Sequence, residues 1–211
     1  NEEDWANSWK KYYKPIKTGR RLVIVPVWET YEKQPGETIV LMEPGMAFGT
    51  GTHETTRLCA GFVEDYVTEG CKVLDVGCGS GILAIAAAKL GAGSCFACDI
   101  DPVAIKVAKE NTELNHTPNV ECAVSDLLKQ APIPEGGYDV VVSNIVADVI
   151  IRLSPDVDKY LAKNGTYIVS GIIEERAQEV LDALDRDGYK PVAERYENGW
   201  YAAALKRKSE I

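Results

Sequence analysis

The sequence has no long apolar segment, and this absence argues against a membrane-spanning helix. Its longest uninterrupted apolar run is seven residues, 82–88, whereas a bilayer-spanning helix needs about 20. The chain also starts with acidic and polar residues, the reverse of the basic start of a secretory signal peptide. We therefore expect a cytoplasmic protein that has no membrane partner.

Positive charge is scarce relative to negative charge. The 211 residues include 32 acidic and 23 basic side chains, which give a formal net charge of −9. Because such a chain repels phosphate backbones on average, direct binding to nucleic acid is not expected. Two local basic stretches, 10–21 and 206–208, are interpreted as solvated surface.

Histidine is rare, and this limits the possible metal sites. The chain has two histidines and six cysteines, and no second Cys/His pair joins Cys95 and Cys98 to complete a four-ligand set, so no metal is predicted. Cys95 and Cys98 have the spacing of a redox or metal motif, but they lie in an apolar run that we interpret as a strand. Alternation along a strand points the two side chains to opposite faces, so we interpret both cysteines as structural.

The length predicts one large domain, or one domain with an appendage, at about 150 residues per domain. We divide the chain into a linker or N-terminal extension, residues 1–45, and a regular domain, residues 46–211. In the second part short β-branched runs alternate with helical stretches, which predicts an α/β fold. This fold is a doubly wound, mostly parallel seven-stranded sheet with an antiparallel C-terminal hairpin. The predicted parallel strands are 72–75, 94–99, 119–124, 138–144 and 165–170; the helices are 82–90, 103–114, 147–161 and 174–187; the hairpin pairs 189–196 with 200–205; and two runs of the extension, 22–25 and 38–42, are strand-like.

A glycine-rich turn follows the first of the parallel strands and precedes a helix. Its Asp-x-Gly-x-Gly-x-Gly pattern comprises Asp75, Gly77, Gly79 and Gly81. Glycines there let the backbone approach a ligand closely, and the helix start offers free N–H groups. Asp99, at the end of the second strand, can accept hydrogen bonds from both ribose hydroxyls of an adenosine.

Two cofactors fit this pattern, and a purely structural turn is a third interpretation. A dinucleotide requires G-x-G-x-x-G/A, which residues 79–84 satisfy only weakly. S-adenosylmethionine suits the complete Asp-x-Gly-x-Gly-x-Gly pattern, and its ammonium and sulfonium favour a carboxylate such as Asp75. Asp126, just after the third strand, is placed to receive the adenine amino group. These acids and Asp99 fall at the carboxyl ends of strands, where such sheets bind ligands, which favours a ligand site over a purely structural turn. Because the pattern for S-adenosylmethionine is complete and a carboxylate at Asp75 would be unhelpful to a pyrophosphate, we predict S-adenosylmethionine as the cofactor.

The alternating glycines and the ribose-binding acid resemble the class I S-adenosylmethionine-dependent methyltransferases, which have a Rossmann-like fold. Four segments, 3–5 with 9–10, 26–29, 45–56 and 144–147, resemble more specifically the bacterial ribosomal protein L11 methyltransferase family. The resemblance covers essentially the whole chain. It implies a protein methyltransferase that modifies lysine side chains and the N-terminal α-amine of ribosomal protein L11, which is then the expected partner.

The resemblance also implies which residues hold the cofactor. Matching the family's pattern position by position gives Thr56, Gly77, Asp99 and Asn144. Asn144 is in addition the candidate catalytic residue, because many amino-methyltransferases carry an Asn or Asp here whose oxygen orients the amine. This chain lacks the prolines and aromatic residue that usually follow, so a role limited to cofactor contact stays open. For His53, capping or packing is weighed against acid–base chemistry.

The chain departs from the family in two respects. Glu43 stands where Asp is usual before Pro-Gly. The family also has a small N-terminal domain that binds the ribosomal protein, and we expect this chain, which starts at Asn1 rather than Met, to begin after it.

Residues 48–56 have the composition of a loop that closes over a ligand. Two other functions stay open: a methyltransferase of ribosomal RNA or a small molecule, and a nicotinamide-dependent oxidoreductase.

Overall fold

A computed structural model describes residues 13–43 and 53–211 of the chain. None of the helices in these ranges is long and apolar enough to cross a membrane. The strands, in chain order, are β1 (Ile16–Lys17), β2 (Leu22–Pro26), β3 (Thr38–Met42), β4 (Lys72–Val76), β5 (Ser94–Asp99), β6 (Val120–Val124), β7 (Tyr138–Asn144), β8 (Leu161–Ile173), β9 (Tyr189–Glu197) and β10 (Trp200–Arg207). The α-helices are α1 (Glu54–Tyr66), α2 (Ile82–Lys89), α3 (Pro102–Leu114), α4 (Ala147–Val157) and α5 (Ala177–Arg186), and 3₁₀ turns lie at Glu174–Arg176 and Lys208–Glu210.

The larger sheet has seven strands in the order β6-β5-β4-β7-β8-β10-β9. The first five strands in this order are parallel, and β10 runs antiparallel to both β8 and β9. The predicted fold class, five parallel strands followed by an antiparallel pair, is therefore confirmed.

Helices cover both faces of this sheet. Alternate strand residues belong to two separate cores: Val73 and Val142 pack in the core that includes α1, α2 and α3, whereas Leu74 and Val141 pack with α4 and α5. This two-residue period follows from the pleat of a strand, and it makes the fold doubly wound.

The cysteines follow the same alternation. Cys95 lies in the first core and Cys98 in the second, so the two side chains point to opposite faces as predicted. All six cysteines are free and buried. Burial raises the pKa of the Cys98 thiol to about 12, which keeps it protonated and unreactive.

A second, three-stranded sheet precedes the large one. In it β1 is antiparallel and β3 parallel to β2, and all five residues of β2 are buried. Leu22, Val40 and Met42 belong to the core that α1, α2 and α3 share. The two strand-like runs predicted in the N-terminal extension are therefore strands. The predicted domain boundary after residue 45 lies outside the described residues and stays a prediction.

Glu64 on α1 anchors this small sheet. Its side chain is 1% exposed and accepts hydrogen bonds from the backbone N–H of Arg21 at 3.0 Å and of Leu22 at 3.4 Å. The guanidinium of Arg20 lies 3.5 Å from the same carboxylate. A buried charge needs such partners to offset its desolvation, so this contact ties β2 to α1.

Several predicted boundaries differ from the structure. The helix predicted to reach residue 161 ends at Val157, and the strand predicted at 165–170 extends over Leu161–Ile173. The cause is strand pairing, since Tyr138 of β7 pairs with Leu161 ahead of the apolar run. The helix predicted from residue 174 begins with the 3₁₀ turn Glu174–Arg176 before α5.

Candidate functional site

A cleft of about 530 Å³ lies where β4, β5 and β7 end. The carboxyl ends of parallel strands are the place where open α/β sheets bind ligands. Five of the predicted site residues line this cleft. The lining residues are His53, Thr55, Gly77, Gly79, Asp99, Ile100, Ser125, Asp126, Leu127, Asn144, Ile145, Val146, Val149, Arg152, Gly171 and Trp200.

The glycine-rich turn forms the floor of the cleft between β4 and α2. Gly77, Gly79 and Gly81 all have positive φ, at 74°, 52° and 79°, which residues with a side chain adopt at a cost. A Cβ on Gly77 would also lie 2.4 Å from Cγ2 of Ile145. The three positions are therefore restricted to glycine by their backbone conformation, and Gly77 also by a close neighbour.

Asp99 joins the turn to the end of β5. Its Oδ2 accepts a hydrogen bond from Gly79 N at 3.0 Å, and its Oδ1 accepts one from Asp101 N at 3.0 Å. An ionised carboxylate has about four acceptor positions. Asp99 thus holds the turn in place and keeps acceptor capacity at each oxygen for hydroxyl groups in the cleft.

Asp75 lies under the turn rather than in the cleft. Its side chain is fully buried, and Oδ2 accepts a hydrogen bond from Ala84 N at 3.2 Å, in the first turn of α2. Burial raises the pKa of Asp75 to about 7. The interpretation of this carboxylate as a neighbour of a bound ammonium is thus not supported by its position, because strand β4 carries it into the core.

Asp126 lies at the rim of the cleft. Its exposed carboxylate forms an ion pair with Lys129, and this hydrogen bond and charge lower the pKa of Asp126. Its backbone N–H donates to Gln130 Oε1 at 2.8 Å. The side chain is ionised and lines the cleft, and its contact with an adenine amino group stays a prediction.

Asn144 and Thr56 meet at the other side of the cleft. Asn144 lines it at the end of β7, and its Nδ2 donates a weak hydrogen bond to Thr56 Oγ1 at 3.4 Å. The Oδ1 atom of Asn144 is buried and has no hydrogen-bond partner among the described residues. Thr56 is fully buried behind Asn144 and does not line the cleft, whereas its neighbour Thr55 does.

His53 begins helix α1 as its N-cap. Its Nδ1 accepts a hydrogen bond from Thr55 N at 3.3 Å and lies 2.9 Å from Thr55 Oγ1. The imidazole packs edge-on against Trp200, with ring centroids 4.8 Å apart. His53 therefore both caps a helix and packs against an aromatic ring, which are the two structural roles considered for it.

Sequence reasoning missed several apolar residues of the cleft. Ile100 and Leu127 each directly follow a predicted site acid, and that position was a usable signal. Trp200 and Ile145 come from parts of the chain that only folding brings to the cleft. Of the segments that carried the family resemblance, residues 3–5, 9–10 and 45–52 lie outside the described residues. Within the described ranges, no group of three or more His, Cys, Asp or Glu residues could hold a metal ion.

Comparison with known proteins shows which protein family this chain is similar to. The family described as "Ribosomal protein L11 methyltransferase (PrmA)" matches residues 1–208. The chain is 50% identical over 208 residues to a ribosomal protein L11 methyltransferase from Caldanaerobacter subterraneus subsp. tengcongensis. The matched region covers 99% of this chain and 66% of that protein. A protein of the same name from Acetivibrio thermocellus is 52% identical over 209 residues, 98% of this chain and 65% of its own length.

A solved structure agrees with these matches. The crystal structure of a ribosomal protein L11 methylase from Lactobacillus delbrueckii subsp. bulgaricus is similar to this fold with a TM-score of 0.86 and 36% identity, over 93% of this chain and 100% of that chain. The chain spans slightly less than two thirds of the length of the two curated relatives above. Since the family match covers nearly all of its residues, the chain belongs to the ribosomal protein L11 methyltransferase family.

Proposed function

We propose that this chain is the catalytic part of a protein amine N-methyltransferase. It transfers methyl groups from S-adenosylmethionine to lysine side chains and the N-terminal α-amine of ribosomal protein L11. The observation that carries the proposal is that one cleft holds both the Asp99 carboxylate and Asn144, whose Oδ1 has no partner among the described residues. Membership of the family supports the choice of substrate.

S-adenosylmethionine is the cofactor, and the cleft residues fit it. The volume of about 530 Å³ lies within the ordinary range for small-molecule sites, about 300–1,000 Å³. Asp99 would accept hydrogen bonds from the ribose hydroxyls, and Asp126 would accept one from the adenine amino group. Ile100 and Leu127 would provide apolar walls for the base.

When bound, S-adenosylmethionine supplies a methyl group carried on a positively charged sulfur, and a nucleophile attacks the methyl carbon in line with the carbon–sulfur bond. The residues of the chain have to position a neutral amine for that attack. A lysine amine, whose ordinary pKa is about 10.4, must lose a proton before its lone pair can react. A buried acceptor without a partner costs about 1–3 kcal/mol, and we propose that an amine N–H satisfies Asn144 Oδ1. This hydrogen bond would aim the nitrogen lone pair at the methyl group.

Thr56 contributes by orienting the amide of Asn144. Because Asn144 Nδ2 donates to Thr56 Oγ1, the amide oxygen is the atom left without a partner among the described residues. The buried position of Thr56 behind Asn144 therefore supports an indirect role in addition to the cofactor contact expected from the family. His53, engaged with Thr55 and packed on Trp200, shapes this side of the cleft.

The remaining parts of the proposal concern organisation and setting. Residues 46–211 form the methyltransferase domain, and residues 1–45 are its N-terminal extension. The reaction takes place in the cytoplasm and needs no direct contact with nucleic acid. A net charge of −9 suits a basic protein substrate, because opposite charges favour encounter.

The proposal is tested by the intact mass of purified ribosomal protein L11 after incubation with the chain and S-adenosylmethionine. We expect a ladder of methyl-sized mass steps that is insensitive to ribonuclease. The Asn144→Ala variant should lose most of this rate but keep most of its affinity for S-adenosylhomocysteine. Gln178→Ala, which removes an exposed amide from α5, is the matched control and should retain full activity.

Three results would contradict the proposal in different ways. Full turnover by Asn144→Ala would refute the orienting role of that residue. No mass shift with this chain, followed by none with the full-length enzyme, would point to a different acceptor. A thermal shift with NAD and none with S-adenosylhomocysteine would replace the methyltransferase by a nicotinamide-dependent enzyme.

A further inference from the structure

Two buried asparagines, Asn111 on α3 and Asn115 at the C-cap of α3, require hydrogen-bond partners for their amides. Asn111 is 1% exposed and Asn115 is 3% exposed. They are four residues apart and therefore lie one above the other on the helix. Both face the end of β3, the strand that connects the small sheet to the segment before α1.

Asn115 binds β3 as a neighbouring strand would. Its Oδ1 accepts a hydrogen bond from Leu41 N at 2.8 Å, and its Nδ2 donates to Leu41 O at 2.7 Å. Nδ2 also donates to Asn111 O at 2.8 Å, within α3. All these contacts join the helix to the small sheet or to itself, and none of them reaches the glycine-rich turn.

Asn111, unlike Asn115, contacts the glycine-rich turn. Its Nδ2 donates to Ser80 O at 3.0 Å and lies 3.1 Å from Met42 Sδ, and its Oδ1 accepts a hydrogen bond from Glu43 N at 3.4 Å. Ser80 lies in the turn, between Gly79 and Gly81. One buried amide thus links the floor of the cleft to the end of β3.

The turn depends on α3 at a second point as well. A Cβ on Gly81 would lie 3.0 Å from the Cβ of Ala108, one turn before Asn111 on the same helix. Gly81 is the N-cap of α2. Two residues of α3 therefore fix the peptide between Ser80 and Gly81. Asn111 donates a hydrogen bond to its carbonyl oxygen, and Ala108 packs against Gly81.

We propose that Asn111 is a positioning residue for the cofactor cleft, which transmits the placement of the small sheet to the glycine-rich turn. The inference rests on the proposed function, since it assumes that the turn binds S-adenosylmethionine. It assigns the small sheet a part in cofactor affinity, although no residue of that sheet lines the cleft as described. Asn115, by the same reasoning, stabilises the fold without affecting the cofactor.

The test compares Asn111→Ala with Asn115→Ala in the 211-residue chain. For each protein, urea unfolding gives the free energy of unfolding, and calorimetry gives the Kd of S-adenosylhomocysteine. We expect both variants to be less stable and only Asn111→Ala to raise the Kd, by roughly tenfold, about the factor that one buried hydrogen bond contributes. With saturating S-adenosylmethionine, the kcat of Asn111→Ala should stay close to that of the unchanged chain, while its KM for the cofactor rises.

Asn111→Ser, which leaves a smaller cavity and a hydroxyl too short to replace the amide, serves if the alanine variant does not fold. Equal Kd values for the Asn111 and Asn115 variants would overturn the inference and leave Asn111 a purely structural residue. If the unchanged chain does not bind S-adenosylhomocysteine, the proposed function fails and the inference fails with it. The unchanged chain thus separates the two failures.

Discussion

Gly171 offers a sharp test of how the acceptor side of the cleft is built. It lies in β8 with φ at +84°, and a Cβ placed on it would be 2.4 Å from the carbonyl oxygen of Ile145 and 2.9 Å from its nitrogen. These are backbone atoms, which cannot rotate away as a side chain would. In Gly171→Ala the carbonyl of Ile145, the residue that follows Asn144, must therefore move by about 0.6 Å or more to restore a tolerable 3.0 Å contact.

Two costs are combined in this substitution, and a control separates them. A left-handed backbone costs a residue with a side chain about 1–2 kcal/mol. Gly188 has a similar φ of +90°, but a Cβ there meets no atom within 4 Å. Gly188→Ala therefore carries the backbone strain alone. Gly171→Ala adds the displacement of Asn144, and a shift of about 1 Å in a positioning group can reduce a rate by about 100-fold.

The assay measures the kcat of methyl transfer with saturating cofactor, together with the free energy of unfolding in urea. We expect Gly188→Ala to be destabilised by about 1–2 kcal/mol, and Gly171→Ala by more because the clash with Ile145 adds to the same strain. Only Gly171→Ala should lose kcat, by about 10- to 100-fold. Equal kcat values for the two variants would refute the reasoning, because Asn144 would then not depend on the contact between Gly171 and Ile145.

Three further predictions address the cofactor, the core and the small sheet. Asp99→Asn should weaken binding of S-adenosylhomocysteine in calorimetry by about tenfold or more, since it removes a charged acceptor, and Asp126→Asn should have a smaller effect because that side chain is at the rim. The folded-state pKa of Asp75, about 7, is above its unfolded value of about 3.9, so its contribution to stability is lost as pH rises from about 4 to 7. In urea unfolding at pH 5 and pH 8, Asp75→Asn should therefore gain stability relative to the unchanged chain at the higher pH. Glu64→Gln should lower the free energy of unfolding by about 1–3 kcal/mol, because a buried charged acceptor is lost.

Each of these predictions has an outcome that would contradict it. An unchanged Kd in Asp99→Asn would argue against the ribose contact. A stability difference between Asp75→Asn and the unchanged chain that is the same at pH 5 and pH 8 would show that this carboxyl does not titrate in that range. For Glu64, the exposed Glu113 of α3 is the matched control, and equal losses in Glu64→Gln and Glu113→Gln would remove the anchoring role.

Most of the fold could be predicted from the sequence because its evidence is local. Strand and helix periods, the proline and aspartate that start α3, and the turn residues 197–199 each act over a few positions. The end of α4 and the early start of β8 were missed because they depend on pairing between Tyr138 and Leu161. The pairing of β1 with β2 could not be predicted either, because a strand of two residues is too short to show a pattern in the sequence.

The candidate site shows the same division. Asp99 and Asp126 were predicted at one site by a simple rule, because parallel strands end at a common edge. Gly77 and Gly79 followed from the glycine-rich pattern, and Asn144 from the family resemblance. That rule says where a strand ends, but it does not say which way its last side chains point.

The sequence by itself determined the order of strands and helices, the glycine-rich turn and the acids at the strand ends, since these depend on neighbouring residues and on conformations that only glycine tolerates. Only the tertiary structure decided that Asp75 is buried under the turn, that Thr55 rather than Thr56 lines the cleft, and that Asn111 joins the turn to β3. The physical reason is that burial and hydrogen-bond partners are set by groups distant in the chain. Asn111, for example, binds Ser80 and Glu43, 31 and 68 positions away.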